Sequence, residues 1–211
     1  MTLVAFDFDG TLSDSEMTVL LGKQVGVADE MADITARAMN DELSYAESLR
    51  DRAALLDGLS LAGAEDAFSE VTLRPGAAEI LDELSAKGTH VAILTGGFER
   101  GVQAALDREG VSVDTIVANR LLDDGEELTG EVEGPLIEGT KDDALEALAE
   151  EQGVDMVNTV AVGDGANDLP MLEVAGLAVG FDPKPAVAPA CDTIVTHMDE
   201  LDDVLGRKNA I

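Results

Sequence analysis

Apolar residues arrive in two patterns along the chain, and the two predict different elements. Some form short dense runs. Others recur every three or four positions over longer stretches, which is helical spacing. Thr2 to Phe6 is a short run of strand-formers that stops at the polar Asp7. Thr89 to Thr95, Thr115 to Ala118, Thr159 to Val162, Leu177 to Phe181 and the brief Thr193 to Val195 share that character and predict further strands. Met17 to Val25 has helical spacing, and the pattern stays helical to about Arg74 with no convincing strand. Ser44-Tyr45-Ala46-Glu47 has the form of a capping box. It predicts a helix with Leu49, Ala53 and Leu56 on one face and Gly58 as its stop. Pro75-Gly76 opens the next helix, with Ile80, Leu81 and Leu84 on its buried side and Gly88 at its end. Gly96-Gly97 ends the second strand and launches a helix through Val102 and Leu106 to Gly110. Asn119 to Val132, centred on Asp124-Gly125, predicts a β-hairpin. Thr140-Lys141-Asp142-Asp143 caps a helix that runs to Gly153, and a last helix starts near Asp199.

Strands alternating with helices predict an α/β fold, a Rossmann-like core built on a mostly parallel sheet. The helical block directly after the first strand predicts a small helical cap domain over residues 16–74. The core domain then comprises residues 1–15 and 75–211 and carries the hairpin.

Three of the predicted strands end in polar turns that contain glycine: Asp7-Phe8-Asp9-Gly10-Thr11, Thr95-Gly96-Gly97, and Gly163-Asp164-Gly165-Ala166-Asn167-Asp168. Right-handed crossovers bring such turns to one edge of an open parallel sheet, where ligands bind. Asp7 and Asp9, two apart, start on the same side of the chain. Gly10 lets the backbone turn sharply. Asp7, Asp9, Thr95, Asp164, Asn167 and Asp168 are therefore expected to converge, with Lys141 reaching the same edge from the start of its helix. Clustered carboxylates suit a hard cation such as Mg²⁺. A hydroxyl, an ammonium and free backbone N–H groups suit a phosphate. The set points to Mg²⁺-assisted phosphoryl chemistry.

Charge narrows the partners. Asp plus Glu number 44 against 13 Lys plus Arg, a formal net charge of −31. Nucleic acids and anionic membrane surfaces require the opposite sign, so both are excluded as partners. The acids are scattered over otherwise good helices, which predicts a solvated acidic coat that repels itself at low salt and is screened in a high-salt cytoplasm. A single cysteine, Cys191, excludes an internal disulfide and fits a reducing compartment. There is no Arg-flanked apolar leader and no apolar run of bilayer-spanning length, so a cytoplasmic location is expected.

The three turns and Lys141 resemble the four motifs of the haloacid dehalogenase (HAD) superfamily. Within it the chain resembles the phosphoserine phosphatase family over nearly its full length. Glu16, Ser48-Leu49-Arg50-Asp51-Arg52, Gly96-Gly97-Phe98 and Ala118-Asn119-Arg120-Leu121 share in the likeness. The resemblance implies a HAD fold and a Mg²⁺-dependent phosphomonoester hydrolase. Its implied substrate is O-phospho-L-serine, at the last step of serine biosynthesis. Asp7 would be the nucleophile that becomes an aspartyl-phosphate, and Asp9 the general acid and then base. Asp7, the backbone carbonyl of Asp9, and Asp164 would hold the metal, with Asp168 behind them. Thr95 and the Gly96 N–H would bind phosphoryl oxygens, Lys141 would neutralise charge, and Asn167 would contact phosphoryl or substrate. Glu16 would meet the substrate ammonium and Arg52 its carboxylate, with Met39 and Tyr45 in the lid.

Departures from the family pattern are Gly10 where many members have Ser, Thr95 for Ser, and Tyr45 for Phe. The alternatives are a phosphatase for another small phosphorylated acid such as phosphoglycolate, and a receiver-type domain that accepts phosphate without ester turnover. Receivers lack both the helical insert and the Gly163 to Asp168 type of turn. The expected partner is a small phosphomonoester, and the expected assembly a monomer or homodimer.

Overall fold

The computed structural model describes residues 1–39 and 42–208, with only the backbone of Met39. Its seven-stranded sheet comprises β1 (Leu3–Phe6), β2 (His90–Phe98), β3 (Thr115–Asp123), β4 (Leu128–Glu133), β5 (Thr159–Gly163), β6 (Ala178–Phe181) and β7 (Thr193–Val195). The order is β4-β3-β2-β1-β5-β6-β7, and only the β3–β4 pairing is antiparallel. β1 lies at the centre, where chain order reverses: β2 flanks it on one side and β5 on the other. A crevice at the carboxyl ends of the strands opens at such a reversal.

The sheet is buried on both faces because β1 alternates two apolar sets. Val4 and Phe6 join Val91, Ile93, Val160 and Val162 in one core, packed by the insert, α5 (Ala77–Ala86), α6 (Glu99–Glu109) and α9 (Met198–Arg207). Leu3 and Ala5 join Ala92, Leu94 and Ala161 in the other, under α7 (Lys141–Gln152) and α8 (Leu169–Val174). Asp7 continues the ladder, donating its N–H to the Val162 carbonyl at 2.8 Å. Its parity is that of Leu3 and Ala5, so its side chain points toward the start of α7.

Between β1 and α5 the described chain is helical: α1 (Met17–Val25), α2 (Ala28–Met39), α3 (Tyr45–Ala54) and α4 (Leu61–Ser69). The Ser44–Glu47 capping box forms as the sequence predicts. The two ends of this insert are stitched together: Arg74 N–H donates to the Leu12 carbonyl at 2.8 Å, and Ser13 Oγ donates to the Thr72 carbonyl at 2.6 Å. Its middle is bonded to the β3–β4 turn, with Gly58 N–H on the Leu128 carbonyl, Leu128 N–H on the Leu59 carbonyl and Leu61 N–H on the Glu126 carbonyl.

Some boundaries differ from the sequence expectation. β2 runs through Gly96-Gly97 to Phe98, because the Phe98 end still pairs with β3 across a register irregularity. The third apolar run and the first arm of the hairpin are one continuous strand, β3. α3 ends at Ala54, ahead of Gly58, in a turn that carries Leu55 and Leu56 inward. Thr140 precedes α7 but its side chain makes no capping bond. No helix of the described residues is long and apolar enough to cross a membrane.

Candidate active site

Three strand ends and one helix start meet at the carboxyl edge of the sheet. Asp7 extends β1, Thr95 lies in β2, Asp164 follows β5, and Lys141 is the first residue of α7. Lys141 Nζ lies 2.5 Å from Asp7 Oδ1 and 2.6 Å from Asp168 Oδ1, and all three side chains are buried. Burial disfavours the Lys141 ammonium, but Asp168 and Asp7 outweigh it and hold its pKa above the ordinary value. At Asp7 burial prevails. Burial, then repulsion from Asp168, push its carboxyl up to about 7 despite Lys141. Two buried acids share one cation, so the pair of negative charges is only half neutralised.

Asp168 accepts three donors. Besides Lys141, it accepts the N–H groups of Asp164 and Gly165 at 2.9 and 2.8 Å through Oδ2. Those bonds lock the turn that presents Asp164. Ligand oxygens of Asp7, Asp164 and Asp168 lie within 4.8 Å of one another, a donor set that fits a hard divalent cation. Three of about four lone-pair sites on Asp168 already hold donors, which leaves Asp7 and Asp164 with the greater capacity for a metal. Burial also raises the Asp164 pKa. A cation between these acids would relieve the charge excess.

Gly10 brings the backbone onto this cluster. Its φ is +94°, and a Cβ there would stand 2.6 Å from Asp164 Oδ1, so a side chain would displace the acid. The next two carbonyls are fixed by a residue that sequence reading passed over. Arg74 Nη2 donates to the Gly10 carbonyl at 3.1 Å and Nε to the Thr11 carbonyl at 3.0 Å, while its guanidinium lies 5.2 Å from the Phe181 ring centre.

Asp9 Oδ1 is buried without a hydrogen-bond partner among the described residues. Burial, with repulsion from Asp7 and Glu16, raises its pKa well above the usual carboxylate value. Thr95 is buried and its Oγ1 accepts the Gly97 N–H at 3.0 Å. A cavity of about 280 Å³ between α3 and the start of α7 is lined in part by Tyr45, Gly96, Leu136, Lys141 and Asn167.

A profile of the haloacid dehalogenase-like hydrolases matches residues 4–173. The chain is 55% identical over 205 residues to the phosphoserine phosphatase of Halobacterium salinarum, covering 97% of each chain. The chain belongs to the haloacid dehalogenase-like hydrolases, in their phosphoserine phosphatase branch. Two solved structures agree. A phospho-aspartyl intermediate analogue of phosphoserine phosphatase is 38% identical with a TM-score of 0.87, covering 98% of both chains. A substrate-bound phosphoserine phosphatase complex is 36% identical with a TM-score of 0.88, covering 98% of this chain and 97% of that one.

The insert reaches the sheet edge through α3. Tyr45 donates its hydroxyl to the Gly96 carbonyl at 3.1 Å. Arg52 is half-buried, with Nε on the Ser48 carbonyl at 3.2 Å and Nη1 on Thr18 Oγ1 at 3.3 Å. It forms no ion pair with an acid among the described residues, and burial lowers its pKa. The surface pairing that a helix this acidic invites is therefore not what occupies Arg52. Glu16 is exposed, at the N-cap of α1, and makes no capping bond with its side chain. Partial burial raises its pKa against the pull of Lys184 and Arg52. The Met39 side chain lies outside the described residues.

Sequence reading found the acids, Thr95 and Lys141, but missed Arg74 and Lys184. Lys184 Nζ sits 3.2 Å from Asp164 Oδ2. Its signal was legible: Pro183-Lys184-Pro185 follows β6, one strand over on the same edge.

Proposed function

We infer that this chain hydrolyses O-phospho-L-serine to serine and phosphate through a phosphoryl-enzyme on Asp7, with Mg²⁺ as its metal. One observation carries the reading: the buried Asp7 carboxyl lies 2.5 Å from the buried Lys141 ammonium. Beside it a second carboxyl, Asp9, is biased toward its acid form and has an oxygen without a partner.

Asp7 attacks phosphorus as the bond to the serine oxygen breaks, and Asp9 gives that oxygen its proton. The raised Asp9 pKa suits the donor role, since a carboxyl must be protonated to donate. In the second half Asp9, now a carboxylate, takes a proton from the attacking water. The bond between phosphorus and Asp7 breaks, and phosphate leaves. Lys141 offsets charge on Asp7 and on the phosphoryl oxygens, and Thr95 Oγ1 and the Gly96 N–H donate to those oxygens. Asp7, Asp164 and the Asp9 carbonyl would hold Mg²⁺, and Asp168 keeps Lys141 and the Asp164 turn in place. Bound Mg²⁺ supplies the positive charge that lets a dianionic ester approach these acids. Glu16 and Arg52, of opposite sign, read the ammonium and carboxylate of the substrate. Residues 16–74 act as a cap that excludes water from the first step, with Tyr45 in its lid and Asn167 on the wall of the cavity.

We further propose that the enzyme works in a salt-rich cytoplasm, supported by a net charge of −31 and by exposed acids along its helices. A panel of phosphomonoesters, assayed at high salt with and without EDTA, tests the assignment. O-phospho-L-serine is expected to lead and EDTA to abolish turnover. A lead for phosphoglycolate would move the substrate, and a single phosphorylation without turnover would remove the hydrolase.

A further inference from the structure

The peptide joining Gly96 to Gly97 is held from both sides. Its carbonyl accepts Asn119 Nδ2 at 3.0 Å and the Tyr45 hydroxyl at 3.1 Å. Its N–H, on Gly97, donates to Thr95 Oγ1 at 3.0 Å. Asn119 is fully buried in β3, and its Oδ1 accepts the Leu136 N–H at 3.2 Å. That second bond fixes which end of the amide faces Gly96. A Cβ at position 96 would overlap the Tyr45 hydroxyl, so a side chain there would push Tyr45 off the carbonyl.

We propose that Asn119 and Tyr45 are positioning residues for the Thr95 hydroxyl, acting through the Gly96–Gly97 peptide. The proposal rests on the reading of Thr95 as a donor to a phosphoryl oxygen. Two donors on the carbonyl polarise the peptide and strengthen the N–H at its other end. That N–H occupies a lone pair of Thr95 Oγ1, which turns the hydroxyl proton outward, free to donate. The two supports differ in origin. Asn119 belongs to the sheet and is always present. Tyr45 begins α3 of the insert, so its bond exists only when that end of the insert lies on the sheet edge. Closure of the insert thereby adds a second donor to a carbonyl that the sheet already holds.

The test is a double-mutant cycle read with p-nitrophenyl phosphate at saturating Mg²⁺. Tyr45→Phe keeps the ring and removes the donor. Asn119→Asp keeps the acceptor for Leu136 and replaces the donor facing Gly96. We expect kcat to fall about threefold in Y45F and about thirtyfold in N119D, with KM within about twofold. In a Thr95→Val background, already slowed, neither change lowers kcat further. Additive losses in that background, or an unchanged kcat in Y45F and N119D, would overturn the proposal. If N119D does not fold, the Y45F cycle decides alone. A Thr95→Val enzyme with full kcat would instead remove the reading of Thr95, and this role with it.

Discussion

The carboxylates buried at the sheet edge and those exposed on the surface are the same groups in different surroundings. Asp7 and Asp168 are buried around one ammonium, where low dielectric makes each charge costly and each partner strong. Glu138 meets Arg50 at 2.6 Å, but both side chains are more than half exposed. Water and salt there leave the pair little net effect. Charge count alone does not separate the two populations. Burial does, and it predicts that changes at the edge are severe and changes on the coat are slight.

The largest effect is expected at Lys141. Lys141→Ala leaves Asp7 and Asp168 buried without their cation, which costs about 3–5 kcal/mol of stability in EDTA. Turnover should fall by at least about a hundredfold. Denaturant unfolding and steady-state kinetics check both, and a variant as stable as the parent would dissolve the contrast between edge and coat.

Asp7→Asn sharpens it through pH. The folded pKa of Asp7, about 7, lies above the ordinary value of 3.8. A raised folded pKa gives stability that is present at low pH and lost as pH rises through about 7. Asn does not ionise, so in EDTA the melting difference should shift in favour of D7N between pH 5 and pH 8. Mg²⁺ should recover the parent more at pH 8, where the ligand is a carboxylate. A pH-independent difference would contradict the burial argument.

Glu16 lies between the two regimes, exposed yet within the field of Lys184 and Arg52. Glu16→Gln should raise KM for phosphoserine about tenfold and leave p-nitrophenyl phosphate nearly unchanged. Equal losses on both esters would remove its role in reading the ammonium. The smallest effect is expected on the coat. Glu138→Gln should move stability by less than about 0.5 kcal/mol, whereas lowering KCl for the whole protein should lower its melting temperature. A melting temperature indifferent to KCl would leave the coat without a function.

The sequence made the strand ends legible because a buried parallel strand is an apolar run that stops abruptly, and the polar residues after it have one edge to occupy. Asp7, Thr95 and Asp164 were found in that way, and Lys141 from its place at the start of a helix feeding the fourth of those strands. What escaped depends on contacts far apart in the chain. Arg74 closes on the carbonyls of Gly10 and Thr11 across more than sixty residues. No local period marks such a contact. Likewise Asn119 stood in the sequence as the start of a hairpin. Its buried amide became visible only once β3 lay beside Gly96 and the Leu136 segment. Extension of β2 through two glycines was hidden for a related reason: the pairing of Phe98 with Asn119 of β3 sustains it against the local propensity.

The most direct measurement of the central claim is rapid acid quench of the enzyme with ³²P-labelled phosphoserine and Mg²⁺, followed by mapping of label on the protein. The account predicts label on the peptide carrying Asp7, formed and lost within turnover and absent from Asp7→Asn. Phosphate released with no protein-bound label at any time, or label that persists in Asp7→Asn, would contradict it.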